Sequence, residues 1–183
     1  AEVLERTKTT IASCQSFTFF ARDVVSQQFA IDNFDCGVKL TPDMAFCMKK
    51  IERHSPDLDV FCLLRVDKER LLDNSGKIKT LLKQNNLTFL IDDWVVEGAP
   101  AKAKLNRFLC RLIKKFPSLN SFIQPIYEKL RIAYAKDNVN RGIRLLSKGE
   151  VVITDRLHAF ILSTLLGIEN YVFDSRGGKV GNF

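Results

Sequence analysis

The chain has 183 residues, of which 46% are hydrophobic and 27% charged, and a formal net charge of +7. That length and apolar content are enough for one or two packed domains. There is no uninterrupted run of about 18 apolar residues and no charged-then-apolar leader, so neither a membrane span nor a signal peptide is expected within these residues.

The sequence opens at Glu2-Val3-Leu4-Glu5-Arg6, a start that reads as the middle of an element, and is expected to be part of a longer protein. Residues 17–20 and 38–40 read as short strands flanking a helix over 24–30. Arg22 and Asp23 are expected to be structural polar groups at the entrance to that helix. Thr41-Pro42-Asp43 closes the second strand, because proline limits continuation. A charged stretch over 45–56, containing Lys49, Lys50, Glu52, Arg53 and His54, marks a domain boundary, and no role is assigned to His54. Residues 57–64 form the next strand. Its nearly continuous apolar run, Val60-Phe61-Cys62-Leu63-Leu64, predicts burial on both faces.

Helical spacing follows over 68–82, broken at Asn74-Ser75-Gly76, then a strand over 88–91 that ends in Asp92-Asp93-Trp94. Residues 102–116 predict a basic amphipathic helix whose stripe of Leu105, Phe108, Leu109, Leu112 and Phe116 packs on the core. Pro117 and Pro125 punctuate the following segment, with two further helices over 126–135 and 139–147, the second capped by Gly149. A strand over 151–153 then runs through Thr154-Asp155-Arg156-Leu157-His158 into a helix that stops at Gly167, and a last strand covers 171–173. Strands alternating with helices predict an α/β fold with mainly parallel sheets.

Chemistry is concentrated at Arg156 and His158, where a strand hands over to a helix. In open α/β sheets, ligands bind at that edge. First-turn N–H groups are unpaired and the helix dipole is positive there, which favours a phosphate or carboxylate. Arg156 can present a planar fork to such an anion, or pair with Asp155 or another acid. His158 can bind a phosphate oxygen or transfer a proton, or be a packed, hydrogen-bonded residue. Arg65 ends the strand over 57–64 in the same way, so two strand-end arginines can converge on one dianion. Asp93 and Trp94, with Asp92, and Lys179 in the loop Ser175-Arg176-Gly177-Gly178-Lys179, are candidates for the rim of the same site.

The five cysteines, Cys14, Cys36, Cys47, Cys62 and Cys110, include no CxxC pair, and His158 has no second ligand at metal spacing. No metal is expected, and the thiols are expected to be reduced and mostly buried. There is no GxSxG elbow to suggest a serine nucleophile.

Several segments in order resemble the polysaccharide pyruvyl transferases. They are Phe20-Ala21-Arg22-Asp23-Val24-Val25-Ser26, Leu40-Thr41-Pro42-Asp43-Met44-Ala45-Phe46, Leu63-Leu64-Arg65-Val66-Asp67-Lys68-Glu69 and Val152-Ile153-Thr154-Asp155-Arg156-Leu157-His158 with Gly178-Lys179-Val180. The resemblance spans nearly the whole chain, without the family's N-terminal Gly-rich segment and some of its C-terminal residues. It implies a GT-B-like pair of Rossmann-type domains. Residues 1–50 would be the closing part of an incomplete N-terminal α/β domain. Residues 51–183 would be a Rossmann-like C-terminal domain that could stop short of its own end. It also implies transfer of the enolpyruvyl group of phosphoenolpyruvate to a sugar hydroxyl pair of a polysaccharide or glycan, giving a pyruvate ketal. Arg65, Arg156, Leu157 and His158 would bind the donor, Leu157 through its backbone N–H, with His158 as the catalytic candidate and no further cofactor.

Two other functions remain open from the sequence. One is a GT-B glycosyltransferase using a sugar nucleotide, whose diphosphate would suit the same helix terminus. The other is a noncatalytic nucleic-acid-binding module using the basic face over 102–115. Nucleic acid is not the expected partner, because aromatics are not interleaved with the charges as stacking platforms. The compartment is left open: cytoplasm for a bacterial protein, Golgi for a eukaryotic one with an upstream anchor.

Overall fold

The computed structural model describes residues 2–65, 75–94, 101–116, 120–174 and 181. An N-terminal helix, α1 (Glu2–Ala12), carries Glu2 and Glu5 in its first turn, where the helix dipole favours acids. It leads to a parallel pair, β1 (Thr18–Ala21) and β2 (Gly37–Leu40), joined by α2 (Val24–Asn33). Asp23 starts α2 as expected, its carboxylate accepting the Ser26 N–H at 2.7 Å. After β2 the chain makes a single 3-10 turn, Met44–Cys47. It then runs extended to β3 (Leu58–Leu63), passing along the second sheet. Arg53 donates to the carbonyl of Gly149 at 2.6 Å, and the His54 N–H donates to Ser147 Oγ at 3.2 Å.

The second sheet is four parallel strands in the order β4-β3-β5-β6, with β4 at Phe89–Asp92, β5 at Gly149–Thr154 and β6 at Glu169–Val172. Helix α3 (Ser75–Gln84) connects β3 to β4. Helices α4 (Ala101–Lys115) and α5 (Asn120–Leu146) carry the chain from β4 to β5, and α6 (Leu157–Leu165) leads to β6. The chain thus leaves β3 toward one edge of the sheet and returns through β5 to build the other half. The topological switch point lies between β3 and β5.

Strand β3 shows why its apolar run is continuous. Phe61 and Leu63 face a core shared with Leu146, Val152, Ala159 and Leu162. Val60, Cys62 and Leu64 face a second core with Ile78 and Leu82 of α3. Alternate side chains of one strand therefore fill both layers.

Four expectations change. The two helices expected over 126–135 and 139–147 are one 27-residue helix, α5. Its residues 135–140 are exposed and, Val139 apart, polar or small, and they do not interrupt the helix. Pro125 lies inside it as the sixth residue, and lacks the N–H that a helix would direct to the Ser121 carbonyl. Gly149 is not a left-handed cap but the first residue of β5. A Cβ on it would stand 2.5 Å from the Phe61 backbone nitrogen, so glycine is required for the close approach to β3. The stripe of α4 does not pack on the sheet core. The helix lies along α5, and Leu105, Phe108 and Phe116 are exposed. The five thiols are free, but Cys62 alone among them is buried; burial pushes its pKa up to about 11.

The expected stop at Gly167 holds. Gly167 adopts φ 68°, its N–H donates to the Thr164 carbonyl at 3.0 Å and that of Ile168 to Ser163 at 2.9 Å, a Schellman closure. The first part of the helical segment over 68–82, Pro117 and Lys179 lie outside the described residues. Among the described residues no helix is long and apolar enough to cross a membrane.

Candidate active site at the carboxyl edge of the sheets

Both central strands of the second sheet end at the switch point, the position where open α/β sheets bind ligands. Leu63 of β3 is in register with Thr154 of β5 on one side and Asp92 of β4 on the other, so the residues that follow each strand emerge side by side. These are Arg65, Arg156 and the pair Asp93-Trp94.

Buried polar contacts fix this edge. Thr154 is fully buried; its hydroxyl donates to the Leu63 carbonyl at 2.8 Å and accepts the Arg156 N–H at 3.1 Å. Asp155 is also buried, and its carboxylate accepts the Arg65 N–H at 3.0 and 3.3 Å. The two strand ends are thereby stitched together across the switch point. Burial pushes the Asp155 carboxyl above its ordinary range; the Arg65 N–H and the charges of Arg156 and Arg65 pull the other way. Asp155 therefore acts on the Arg65 backbone. The acid that pairs with the Arg156 guanidinium is Asp93, at 2.5 Å. Asp93 is the more enclosed partner, and its Oδ1 also accepts the Trp94 N–H. Trp94 is anchored in turn by Arg141 of α5, which donates to its carbonyl at 2.7 Å.

Arg156 occupies the N-cap position of α6 without a side-chain cap, and its carbonyl already accepts from Ala159 and Phe160. The N–H groups of Leu157 and His158 consequently have no acceptor within the helix and face the edge of the sheet. A cavity of about 250 Å³ opens there, lined by Arg22, Arg65, Trp94, Arg156, Leu157, His158 and Ala159. The expected residues Arg65, Arg156, Leu157, His158 and Trp94 thus meet at one place. Asp93 reaches it through its ion pair with Arg156.

Arg22 was expected only as a polar group at a helix entrance, and the structure puts it in the cavity wall. It ends β1 as Arg65 ends β3, a placement that could have identified it. Its Nη1 donates to Asp43 Oδ2 at 3.0 Å. Asp43 follows β2 and caps the 3-10 turn, Oδ1 accepting the Ala45 N–H at 3.0 Å. That backbone hydrogen bond, helped by Arg22 and by the His158 charge and opposed by burial, holds the Asp43 carboxyl below the usual range. His158 Nε2 lies 3.8 Å from the same Oδ2, and its imidazole is largely exposed at the cavity mouth.

Three arginines and a helix N-terminus around one cavity can hold two anionic groups close together. Asp43 and Asp93 offset part of the positive charge, but each guanidinium has five N–H donors, and neither acid uses them all. A second, mostly aliphatic crevice of about 290 Å³ adjoins, sharing Trp94 and His158 and lined also by Met48, Asn138 and Leu162. Among the described residues, no three His, Cys, Asp or Glu gather as metal ligands.

The sequence model of the polysaccharide pyruvyl transferases matches residues 2–176. A curated relative, pyruvyl transferase 1 of Schizosaccharomyces pombe, is 31% identical over 191 aligned positions. The match takes in 100% of this chain and 42% of the relative, so the chain spans less than half that protein's length.

Proposed function

The chain belongs to the polysaccharide pyruvyl transferase family, a family of transferase enzymes, and from that membership we propose that it moves the enolpyruvyl group of phosphoenolpyruvate onto a hydroxyl pair of a sugar. The observation that carries this reading is the cavity in which Arg22, Arg65, Arg156 and the start of α6 converge. Phosphoenolpyruvate holds a carboxylate and a phosphate on adjacent positions of a three-carbon skeleton. Arginine forks match both groups, and the N–H groups of Leu157 and His158 add donors aligned with the helix dipole.

In this reaction a proton is delivered to the methylene carbon, which becomes a methyl group, while one sugar hydroxyl adds to the adjacent carbon. The C–O bond to phosphate then breaks, phosphate leaves with the electron pair, and a second hydroxyl closes the ketal. Each hydroxyl gives up its proton, and no redox partner is needed. Arg65 and Arg156 stabilise the charge that gathers on the departing phosphate. His158, at the mouth of the cavity, donates a proton to the methylene carbon or to the leaving phosphate. The acceptor approaches from the open side, past Trp94 and His158.

The GT-B-like arrangement belongs to the same proposal. Residues 1–50 are the closing part of one α/β domain, and residues 51–183 form a Rossmann-like domain. Its support is that β1 and β2 form one sheet and β3 to β6 another.

The test incubates the full-length protein with phosphoenolpyruvate and a panel of galactosides and N-acetylmannosamine conjugates, and follows phosphate release and ketal formation by mass spectrometry. Arg156→Ala and Arg65→Ala should each lower kcat/KM by roughly a hundredfold, the scale for removing one preorganised charge-stabilising donor. Full turnover in Arg156→Ala would overturn the site. Consumption of a sugar nucleotide with no dependence on phosphoenolpyruvate would favour a glycosyltransferase.

A further inference from the structure

Asp43 is the acid that reaches the cavity from outside the second sheet. One of its oxygens is committed to the Ala45 N–H, which fixes the carboxylate on the 3-10 turn, and its side chain is only 12% exposed. The other oxygen faces two cavity residues at once, Arg22 Nη1 at 3.0 Å and His158 Nε2 at 3.8 Å. The second distance is in ion-pair range and longer than a hydrogen bond. Arg22 stands at the end of β1, and His158 in the first turn of α6, so a single rigid carboxylate joins the ends of both sheets.

We propose that Asp43 is a positioning residue of the transfer, holding Arg22 toward the donor's anionic groups and His158 at the mouth of the cavity. This rests on the phosphoenolpyruvate reading above. Arg22 is 38% exposed and His158 66% exposed, so packing alone fixes neither side chain. The depressed Asp43 carboxyl keeps a negative charge there across neutral pH. The other charged groups lining the cavity with His158 are Arg22, Arg65 and Arg156, all cations. Helix α5 contributes only the uncharged Asn138 and Val139 to the adjoining crevice. Asp93 is taken up by Arg156, whereas Asp43 turns one carboxylate oxygen toward both Arg22 and His158.

Two effects should follow its loss, one on donor binding through Arg22 and one on proton transfer through His158. The experiment compares full-length wild type with Asp43→Asn and Asp43→Ala, measuring KM for phosphoenolpyruvate, kcat and thermal stability. Asparagine can still accept the Ala45 N–H, so the turn should stay capped. In Asp43→Asn, KM should rise about tenfold, the size expected from loss of one charge-assisted contact. kcat should fall as well, by a smaller factor, because His158 is no longer held at the mouth of the cavity. Asp43→Ala should show both effects and a lower melting temperature. An active wild type with an Asp43→Asn variant of unchanged KM and kcat overturns the positioning role alone. The same holds if the variants lose only thermal stability. A wild type inert toward phosphoenolpyruvate overturns this proposal and the donor assignment together.

Discussion

Thr154 and Asp155 are polar residues buried at a point where the chain elsewhere places leucine and valine, and their hydrogen bonds account for the exception. The Thr154 hydroxyl serves Leu63 and Arg156 together. Thr154→Val keeps the shape but strands both partners, so it should cost about 1–3 kcal/mol in a urea melt and weaken donor binding by loosening Arg156. Asp155 and Asp43 give stability slopes of opposite sign. A carboxyl raised on folding binds its proton more tightly in the native state, so the Asp155 contribution falls as pH climbs from the unfolded value, about 3.9, through the raised one. Asp43 is lowered, so its contribution is present above that unfolded value and is lost as pH falls through the depressed one. Comparing wild type with Asp155→Asn and with Asp43→Asn in urea titrations across acid to neutral pH should give difference slopes of opposite sign. Arg65, Arg156 and His158 were legible in the sequence because each follows an abrupt end to an apolar run. Asp43 was not, because its role depends on contacts with Arg22 and His158 that only the folded chain brings together.

Among the elements, the strands were readable and the long helices were less so. Strand β3 announces itself by an apolar run that alternates between two cores, a pattern local enough to see in five residues. Helix α5 was divided at its polar middle because periodicity weakens there, yet an exposed stretch needs no apolar periodicity to remain helical. For α4 the spacing predicted an amphipathic helix correctly, but spacing does not say which surface the helix meets, and α5 takes the place expected for the sheet. Gly149 shows the same limit in another form, since its requirement comes from Phe61 on a strand far away in sequence. Gly149→Ala places a methyl group 2.5 Å from the Phe61 nitrogen and 2.7 Å from its Cβ, both on the backbone frame of the neighbouring strand. The strands must part, at a cost of about 3 kcal/mol. Because β3 and β5 carry Arg65 and Arg156, the variant should also raise KM for the donor, whereas Gly76→Ala on α3, where a Cβ meets nothing within 4 Å, should leave KM unchanged and stabilise the helix by up to about 1 kcal/mol.

At the scale of the whole molecule, the cavity joins two parts of the chain that share no sheet. A two-stranded sheet is only marginally stable alone, and α2 leaves Val24, Val25, Phe29 and Ile31 largely exposed. The first part is held to the second at the site itself, by packing of the 3-10 turn Met44–Cys47 on α6 and by Asp43 opposite His158. An anion contacting Arg22 on one side and Arg65 and Arg156 on the other would add a further link, so donor binding should stabilise the protein as well as occupy it. For full-length protein at about a hundredfold excess of phosphoenolpyruvate over its Kd, the gain should be about 2.7 kcal/mol, read as a rise in melting temperature. Arg22→Ala should bind the donor about tenfold more weakly and lose about 1.4 kcal/mol of that gain at the same concentration. Raising the salt concentration should shrink the gain in wild type, since the cavity is open enough for ions to screen it. If Arg22→Ala is stabilised as strongly as wild type, the donor is held by the second sheet alone, and the two parts of the chain are joined by Asp43 without the ligand's help.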